Sequence, residues 1–266
     1  KTYKIKSADK YKSRDNGDIT KVKTISLFRK DIKKSKKFAH LVSADGGFDW
    51  NDENYQEQEA YALLIGEILA AINVQAKDGH FVLKIFDTYT KLTVKLIHIL
   101  NMCYQDVYIC KPLFSRESNS EKYVICKNFK FDQKKDASKL ADIRAGLETV
   151  LESMNNELFL NDIYPDFNVP NELMDLFRMI NIKLVNRQQI ICNKMISFIQ
   201  GNNYYGELYH NYKNEQINAI KWWISMFYPN DDKSFQKNRT EMLEQMKKQL
   251  ANQKNELGKL TKNLVN

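Results

Sequence analysis

Between His40 and Cys126, short apolar runs alternate with stretches whose apolar residues recur at helical spacing. His40-Leu41-Val42-Ser43-Ala44 ends in Asp45-Gly46-Gly47, the form of a buried strand opening into a loop at its carboxyl end. Leu64, Ile65, Ile68, Leu69 and Ile72 then line one helical face, with Glu57 and Glu59 near its start and Lys77-Asp78-Gly79 as its stop. A second buried strand is predicted from His80 to Phe86, a second helix over 90–104, and strands over 107–110 and 122–126. Strand, helix, strand, helix, strand, strand implies parallel βαβ units with right-handed crossovers. The loop between the last two strands, Lys111 to Ser120, is too short for a helical crossover, so an antiparallel pair is expected at one edge.

The flanks differ from this block. Asn16-Gly17-Asp18 signals a turn, and Ile25, Leu27, Phe28 and Ile32 sit at roughly helical spacing. Beyond Lys134 helical spacing dominates, over 136–200 and 212–227, interrupted by Asp162 to Pro170 with its two prolines. Ile190, Ile191, Met195, Ile196, Phe198 and Ile199 are expected to cover one helix face, and Trp222, Trp223, Met226 and Phe227 to pack a further helix. From Lys233 onward Leu243, Met246, Leu250, Leu257, Leu260 and Leu264 are nearly heptad-spaced, as in a long amphipathic helix. The expected organisation is an α/β sheet domain over 1–134, a helical region over 135–232 and the long helix over 233–266.

Composition narrows the function. The net charge is +8, yet residues 1 to 40 alone hold 14 Lys/Arg against 4 Asp/Glu, leaving −2 for the remainder. A basic end on a near-neutral body suits a polyanion, nucleic acid before membrane; a solvated lysine-rich face is the alternative. No apolar run approaches the ~18 residues of a transmembrane helix, so no membrane partner is expected. The cysteines, at 103, 110, 126 and 192, have no CxxC spacing, which argues against a zinc cage or disulfide scaffold and fits a reducing compartment. The histidines lack metal-ligand spacing, and no P-loop, GxSxG or HExxH motif occurs. The chain opens on Lys1 without a signal peptide, so it is expected to begin inside a longer protein or at a processed end.

Three residues stand out for chemistry. Asp45 lies beyond a strand's carboxyl end, where α/β sheets bind ligands, although it could equally cap the next helix. Lys84 interrupts an apolar run: under strict alternation Phe81, Leu83 and Ile85 face one side while Val82, Lys84 and Phe86 share the other. A lysine so placed is expected to be desolvated, with a depressed pKa suited to a general base, unless it snorkels past the strand end. Glu121, opening the last strand, could meet Lys84 across the sheet. The 111–120 loop brings Lys111, Ser115, Arg116 and Ser120, cations and hydroxyls that suit phosphate and ribose.

Ser43-Ala44-Asp45-Gly46-Gly47-Phe48-Asp49, Gln56-Glu57-Gln58-Glu59, and Gly79-His80-Phe81-Val82-Leu83-Lys84 resemble the FtsJ-like ribose 2'-O-methyltransferases. Lys111-Pro112, Ser115-Arg116 and Asn119-Ser120-Glu121-Lys122-Tyr123 complete the likeness, which covers about 16 to 130. It looks closest to the cap-methylating members of large cytoplasmic DNA viruses, which would imply a cytoplasmic or virion location. The resemblance implies a partial Rossmann-like methyltransferase sheet, its later half with an antiparallel edge strand, followed by an α-helical C-terminal region. It implies S-adenosyl-L-methionine as cofactor and RNA, above all capped mRNA, as substrate. Asp45, Lys84 and Glu121 match three members of the family's Lys-Asp-Lys-Glu tetrad. Lys84 would accept the proton of a ribose 2'-hydroxyl while Asp45 and Glu121 orient it. Asp18 and Ile19 resemble the acidic turn that holds the cofactor's adenine, with Asp45 also on the cofactor side, and Lys111, Ser115, Arg116 and Ser120 would hold RNA. The family's glycine-rich cofactor loop and first tetrad lysine find no match here. A missing N-terminal half, or another chain, is expected to supply them. A non-catalytic RNA-binding or assembly scaffold is the competing reading, and the tail could recruit a capping or transcription partner.

Overall fold

The computed structural model of the protein describes residues 17–35, 37–47, 49, 51–112, 115–154, 162–164 and 166–227, with scattered positions between 240 and 255. The basic segment before Asn16 and most of the heptad-spaced tail, Met246 and Leu250 onward included, lie outside the described residues.

Gly17 has φ 83°, a left-handed turn that suits glycine. Helix α1, Val22–Ser35, follows and buries Ile25 and Ile32. Strand β1 is Ala39–Ala44, a single helical turn (α2) is Gln56–Glu59, and helix α3 is Tyr61–Val74. Strand β2 spans Gln75–Ile85, helix α4 Lys91–Cys103, and strands β3 and β4 Tyr104–Cys110 and Lys122–Phe129. Helix α3 stops at Val74, earlier than Lys77-Asp78-Gly79 suggested. Those three residues instead form a bulge within β2: Ala39 pairs with Gln75 but Leu41 with His80, and Asp78 has φ 60°.

The sheet order is β1-β2-β4-β3. Strands β1 and β2 run parallel, whereas β4 is antiparallel to both β2 and β3. The antiparallel pair expected from the short 111–120 loop is therefore present, with β3 at the edge. Phe81, Leu83 and Ile85 of β2 and Val124 and Cys126 of β4 point to one face, where α3, α4 and helix α5 (Ala137–Met154) pack on them. Leu140, Leu147 and Leu151 of α5 lie in that same core. Among the described residues the core is built on this face alone. On the opposite face Leu41 is 65% and Tyr108 38% exposed, so β1 is not the buried strand its apolar run suggested. A strand is buried on both faces only when both carry helices.

Helices α6, Asn171–Gln200, and α7, Glu207–Phe227, complete the described elements. Two compact units divide at Asn193. In the first, Phe177 of α6 enters the sheet core, and Asn181 clasps Thr88 by two hydrogen bonds, 2.7 and 2.8 Å. Among the described residues the apolar stripe expected on the later part of α6 is only partly covered, with Phe198 packed on Tyr204 and Tyr212. Met195, Ile196 and Ile199 are about half exposed, as are Trp223 and Phe227 of α7, although Met226 is buried. The described positions between 240 and 255 are helical and exposed.

Candidate active site at the strand ends

The parallel pairing of β1 with β2 brings Ala44 level with Leu83, so the next residues, Asp45 and Lys84, leave the sheet side by side. Lys84 forms an ion pair with Asp45 there. Across β2, Lys84 pairs in register with Tyr123, and Tyr123 with Cys110, so all three share the open face of the sheet. Alternation puts Glu121 on that face too. The side chains of Phe81, Leu83 and Ile85 are at most 2% exposed, so the alternation expected for β2 is present. Lys84 is mostly covered, its side chain 17% exposed, and its ammonium lies 5.5 Å from the centre of the Phe86 ring.

The electrostatics correct one expectation. Burial pulls the Lys84 pKa down, but the Asp45 carboxylate that accepts its hydrogen bond outweighs burial, helped by Tyr123 and Glu121, and the net shift is upward. Lys84 is therefore held as an ammonium rather than poised as a free amine. Glu121 acts through its field; its Oε1 accepts from the Ser115 hydroxyl at 3.2 Å. Asp45 is the residue that takes up the lysine directly.

The loop carrying Asp45 is fixed by a residue the motif left out. Glu67 on α3 is buried, and its Oε1 accepts the Gly46 N–H at 2.8 Å. A Cβ at position 46 would come 2.7 Å from that oxygen and 2.9 Å from Leu63 Cδ1. Any larger residue at 46 would have to displace the Glu67 carboxyl and the Leu63 tip. Burial raises the Glu67 pKa to about 7, opposed by the Gly46 hydrogen bond and by Lys84. One residue earlier on α3, Gly66 meets the backbone of Ile19 so closely that a Cβ would lie 2.2 Å from its carbonyl oxygen. The Asp18 turn and the Asp45 loop thus rest on neighbouring residues of one helix. Asp18 Oδ1 accepts from the Thr20 N–H and hydroxyl, 2.8 and 2.7 Å, and Ile19 packs against the core. That carboxylate oxygen closes the turn before α1, a local role that leaves the second oxygen for a ligand.

Glu57 and Glu59 brace the loops rather than start α3. Glu57 is buried, accepts from the Tyr89 and Thr90 N–H groups at 3.0 and 2.9 Å, and accepts the Thr90 hydroxyl at 2.7 Å. It thereby fixes the start of α4, where Thr90 is the N-cap. Glu59 takes the Asn51 and Asp52 N–H groups. Beside Lys84 a cleft is lined by Gly46, Leu63, Glu67, Phe86 and Asp87.

In the 111–120 loop the Lys111 ammonium donates to Ser115 Oγ (3.2 Å), Asn119 Oδ1 (2.9 Å) and the Glu121 carbonyl (2.9 Å). An ammonium has three donors, so Lys111 organises the loop from within and offers a ligand its charge alone. Ser115 and Glu121 are part of the same network, Ser120 gives its carbonyl to Lys122 at 2.9 Å, and Arg116 is exposed. Lys122 was given no role by the motif that contains it. It is 3% exposed, and burial lowers its pKa to about 8, with Asp87 opposing. The signal was available, because alternation along β4 sets Lys122 on the apolar face with Val124 and Cys126.

Among the described residues no His/Cys/Asp/Glu cluster could hold a metal ion, and no helix is long and apolar enough to cross a membrane. Cys103 and Cys126 are buried free thiols, Cys110 is partly covered and Cys192 exposed. His98 stacks on Phe167 with ring centres 5.1 Å apart.

Comparison with known proteins bears on the segment that builds this site. The FtsJ-like methyltransferase profile matches residues 1–129. This segment belongs to the FtsJ-like methyltransferase family. The cap-specific mRNA (nucleoside-2'-O-)-methyltransferase 1 of Mus musculus is 42% identical over 118 residues, 43% of this chain and 14% of the mouse protein. The Xenopus laevis protein of the same name is 33% identical over 184 residues, 68% of this chain and 21% of its own. The chain thus spans less than a quarter of these relatives' length. A ribosomal RNA methyltransferase structure from Plasmodium falciparum is 20% identical, covering 38% of this chain and 53% of that one with a TM-score of 0.31.

Proposed function

We propose that this FtsJ-like segment serves transfer of a methyl group from S-adenosylmethionine to a ribose 2'-hydroxyl of RNA, mRNA at its cap in the first place. The observation that carries the reading is the Lys84–Asp45 ion pair at the sheet's carboxyl end, with Glu121 on the same face, inside the family-matched segment. The relatives' names supply the substrate class.

The cleft beside Lys84 suits the cofactor: Leu63, Leu64 and Phe86 offer an apolar wall, and Asp87 offers a carboxylate to a cation. When bound, S-adenosylmethionine supplies an activated methyl carbon. Lys84 then has two tasks. Its nitrogen would point the 2'-oxygen toward that carbon and accept the hydroxyl proton as the new C–O bond forms and the sulfur–methyl bond breaks, the bonding pair leaving with the sulfur of S-adenosylhomocysteine. Because Asp45 holds Lys84 protonated in the resting site, the lysine must first release a proton to solvent. Asp45 fixes its position, Glu121 adds its negative field, and the Glu67–Gly46 contact holds the Asp45 loop. The 111–120 loop, shaped by Lys111, presents Arg116 and its own positive charge to the RNA backbone.

The test is transfer of labelled methyl to capped RNA alongside titration with S-adenosylhomocysteine. Lys84→Ala is expected to lose about 10²–10⁴-fold in turnover while keeping product affinity. Full turnover in that variant would remove the base assignment.

A further inference from the structure

A second cleft opens between the 111–122 loop and α6, and Asp87 lines both it and the one beside Lys84. Its α6 wall lies beyond the family-matched segment and comes from the helix that Asn181 ties to Thr88. Tyr89, Lys111, Asn119, Lys122, Arg187 and Gln188 line it, with the carboxylates of Asp87 and Glu117.

The cations in it are not equivalent. The three donors of Lys111 are taken up within its loop. Lys122 is buried and donates to the Ser120 carbonyl. Arg187 differs: its side chain is 65% exposed and is ion-paired with Glu117. A guanidinium has five donors in a fixed fork, so pairing with one carboxylate oxygen leaves others for a second anion. A solvent-exposed pair of this kind holds its partner weakly, and a phosphate can share the arginine or take it over. Tyr89, 58% exposed, adds a ring on which a base can stack. Asn119 and Gln188 add amide groups able to meet ribose or base edges. A cation for phosphate, an aromatic platform and amides along one groove are what single-stranded RNA requires.

We propose that this cleft is a track for single-stranded RNA leading to the Lys84 site, with Arg187 of α6 as its phosphate contact and Tyr89 as its stacking platform. The inference rests on the RNA reading above and deepens it: the helix beyond the family-matched segment forms one wall of the substrate site.

The experiment is fluorescence anisotropy of the full chain with a short fluorescein-labelled single-stranded RNA across a salt series. Wild type, Tyr89→Ala, Arg116→Ala, Arg187→Ala, and Arg187→Ala combined with Glu117→Ala are compared, with circular dichroism to verify folding. Arg187→Ala is expected to weaken binding about fivefold to tenfold and to flatten the salt slope by ~0.7, one phosphate contact on a single strand. The double variant is expected to stay weak. Tyr89→Ala is expected to weaken binding without changing the slope. If the double variant regains wild-type affinity, Arg187 merely neutralises Glu117 and the inference fails. It fails equally if Arg116→Ala weakens binding while Arg187→Ala changes neither affinity nor slope; the RNA reading then survives. Absence of RNA binding by the wild type overturns both.

Discussion

A buried carboxyl holds the Asp45 loop, and its protonation has a measurable consequence. The Glu67 pKa rises in the folded state to about 7 from an ordinary 4.5. Between those values the native state binds more protons than the unfolded chain, so stability falls as pH rises through that window and levels off above it. Glu67→Gln keeps an acceptor for the Gly46 N–H but cannot ionise. In urea titrations it is expected to be more stable than wild type by on the order of 2 kcal/mol above about pH 8, and close to it near about pH 4. Equal stability at both pH values would mean that Glu67 is not buried as a neutral acid. The motif residues Asp45, Lys84 and Glu121 were legible because side-chain chemistry, alternation and order along the chain all marked them. Glu67 was not: it sits in an apolar helical run where one acid reads as a surface residue, and only the fold brings it under Gly46. The direction of the Lys84 shift was misread for a related reason. Sequence shows the oily neighbours that lower a lysine's pKa, but not the carboxylate that a parallel register places beside it.

Helix α4 shows the same division at the level of an element. Its existence followed from the apolar period, yet the acid that secures its start is Glu57, across a loop. Glu57→Ala would strip acceptors from the Tyr89 and Thr90 N–H groups and is expected to cost about 1–3 kcal/mol in denaturant unfolding. Farther along α4, Lys95 is fully buried; its ammonium meets Asp162 at 2.7 Å and the carbonyls of Ile163 and Tyr164 at 2.7 and 2.9 Å. Asp162→Ala leaves that charge without its counter-ion and is expected to destabilise by about 3 kcal/mol, read from the same titration. Hydrophobic period alone gives Lys95 no mark of burial, because its partner Asp162 lies far along the chain, beyond α5. The β2 bulge was hidden likewise: Lys77-Asp78-Gly79 is a turn signal in any sequence, and the pairing with β1 decides that the turn lies within a strand.

At the largest scale, the α/β order and the antiparallel edge pair were readable, while the one-sided core of the described residues was not. Which face of a sheet is covered depends on where the helices lie, and an apolar run such as Leu41-Val42 has the same appearance either way. Leu41→Lys on the open face is therefore expected to change stability by less than about 0.5 kcal/mol, whereas Leu83→Ala, in the covered face, is expected to cost about 2–5 kcal/mol; chemical denaturation of both variants checks the assignment. The open face is also the one that presents Asp45, Lys84 and Tyr123 together, so the proposed chemistry lies on the side that the core helices leave free. The most direct test of that chemistry is the pH dependence of single-turnover methyl transfer to capped RNA in wild type and Asp45→Asn. A lysine base held above its ordinary pKa must be deprotonated to act, so the wild-type rate is expected to climb with pH into the alkaline range. Loss of the Asp45 charge lowers the lysine's pKa and is expected to move the climb to lower pH. A wild-type rate independent of pH, or a climb that Asp45→Asn leaves in place, would contradict Lys84 as the proton acceptor.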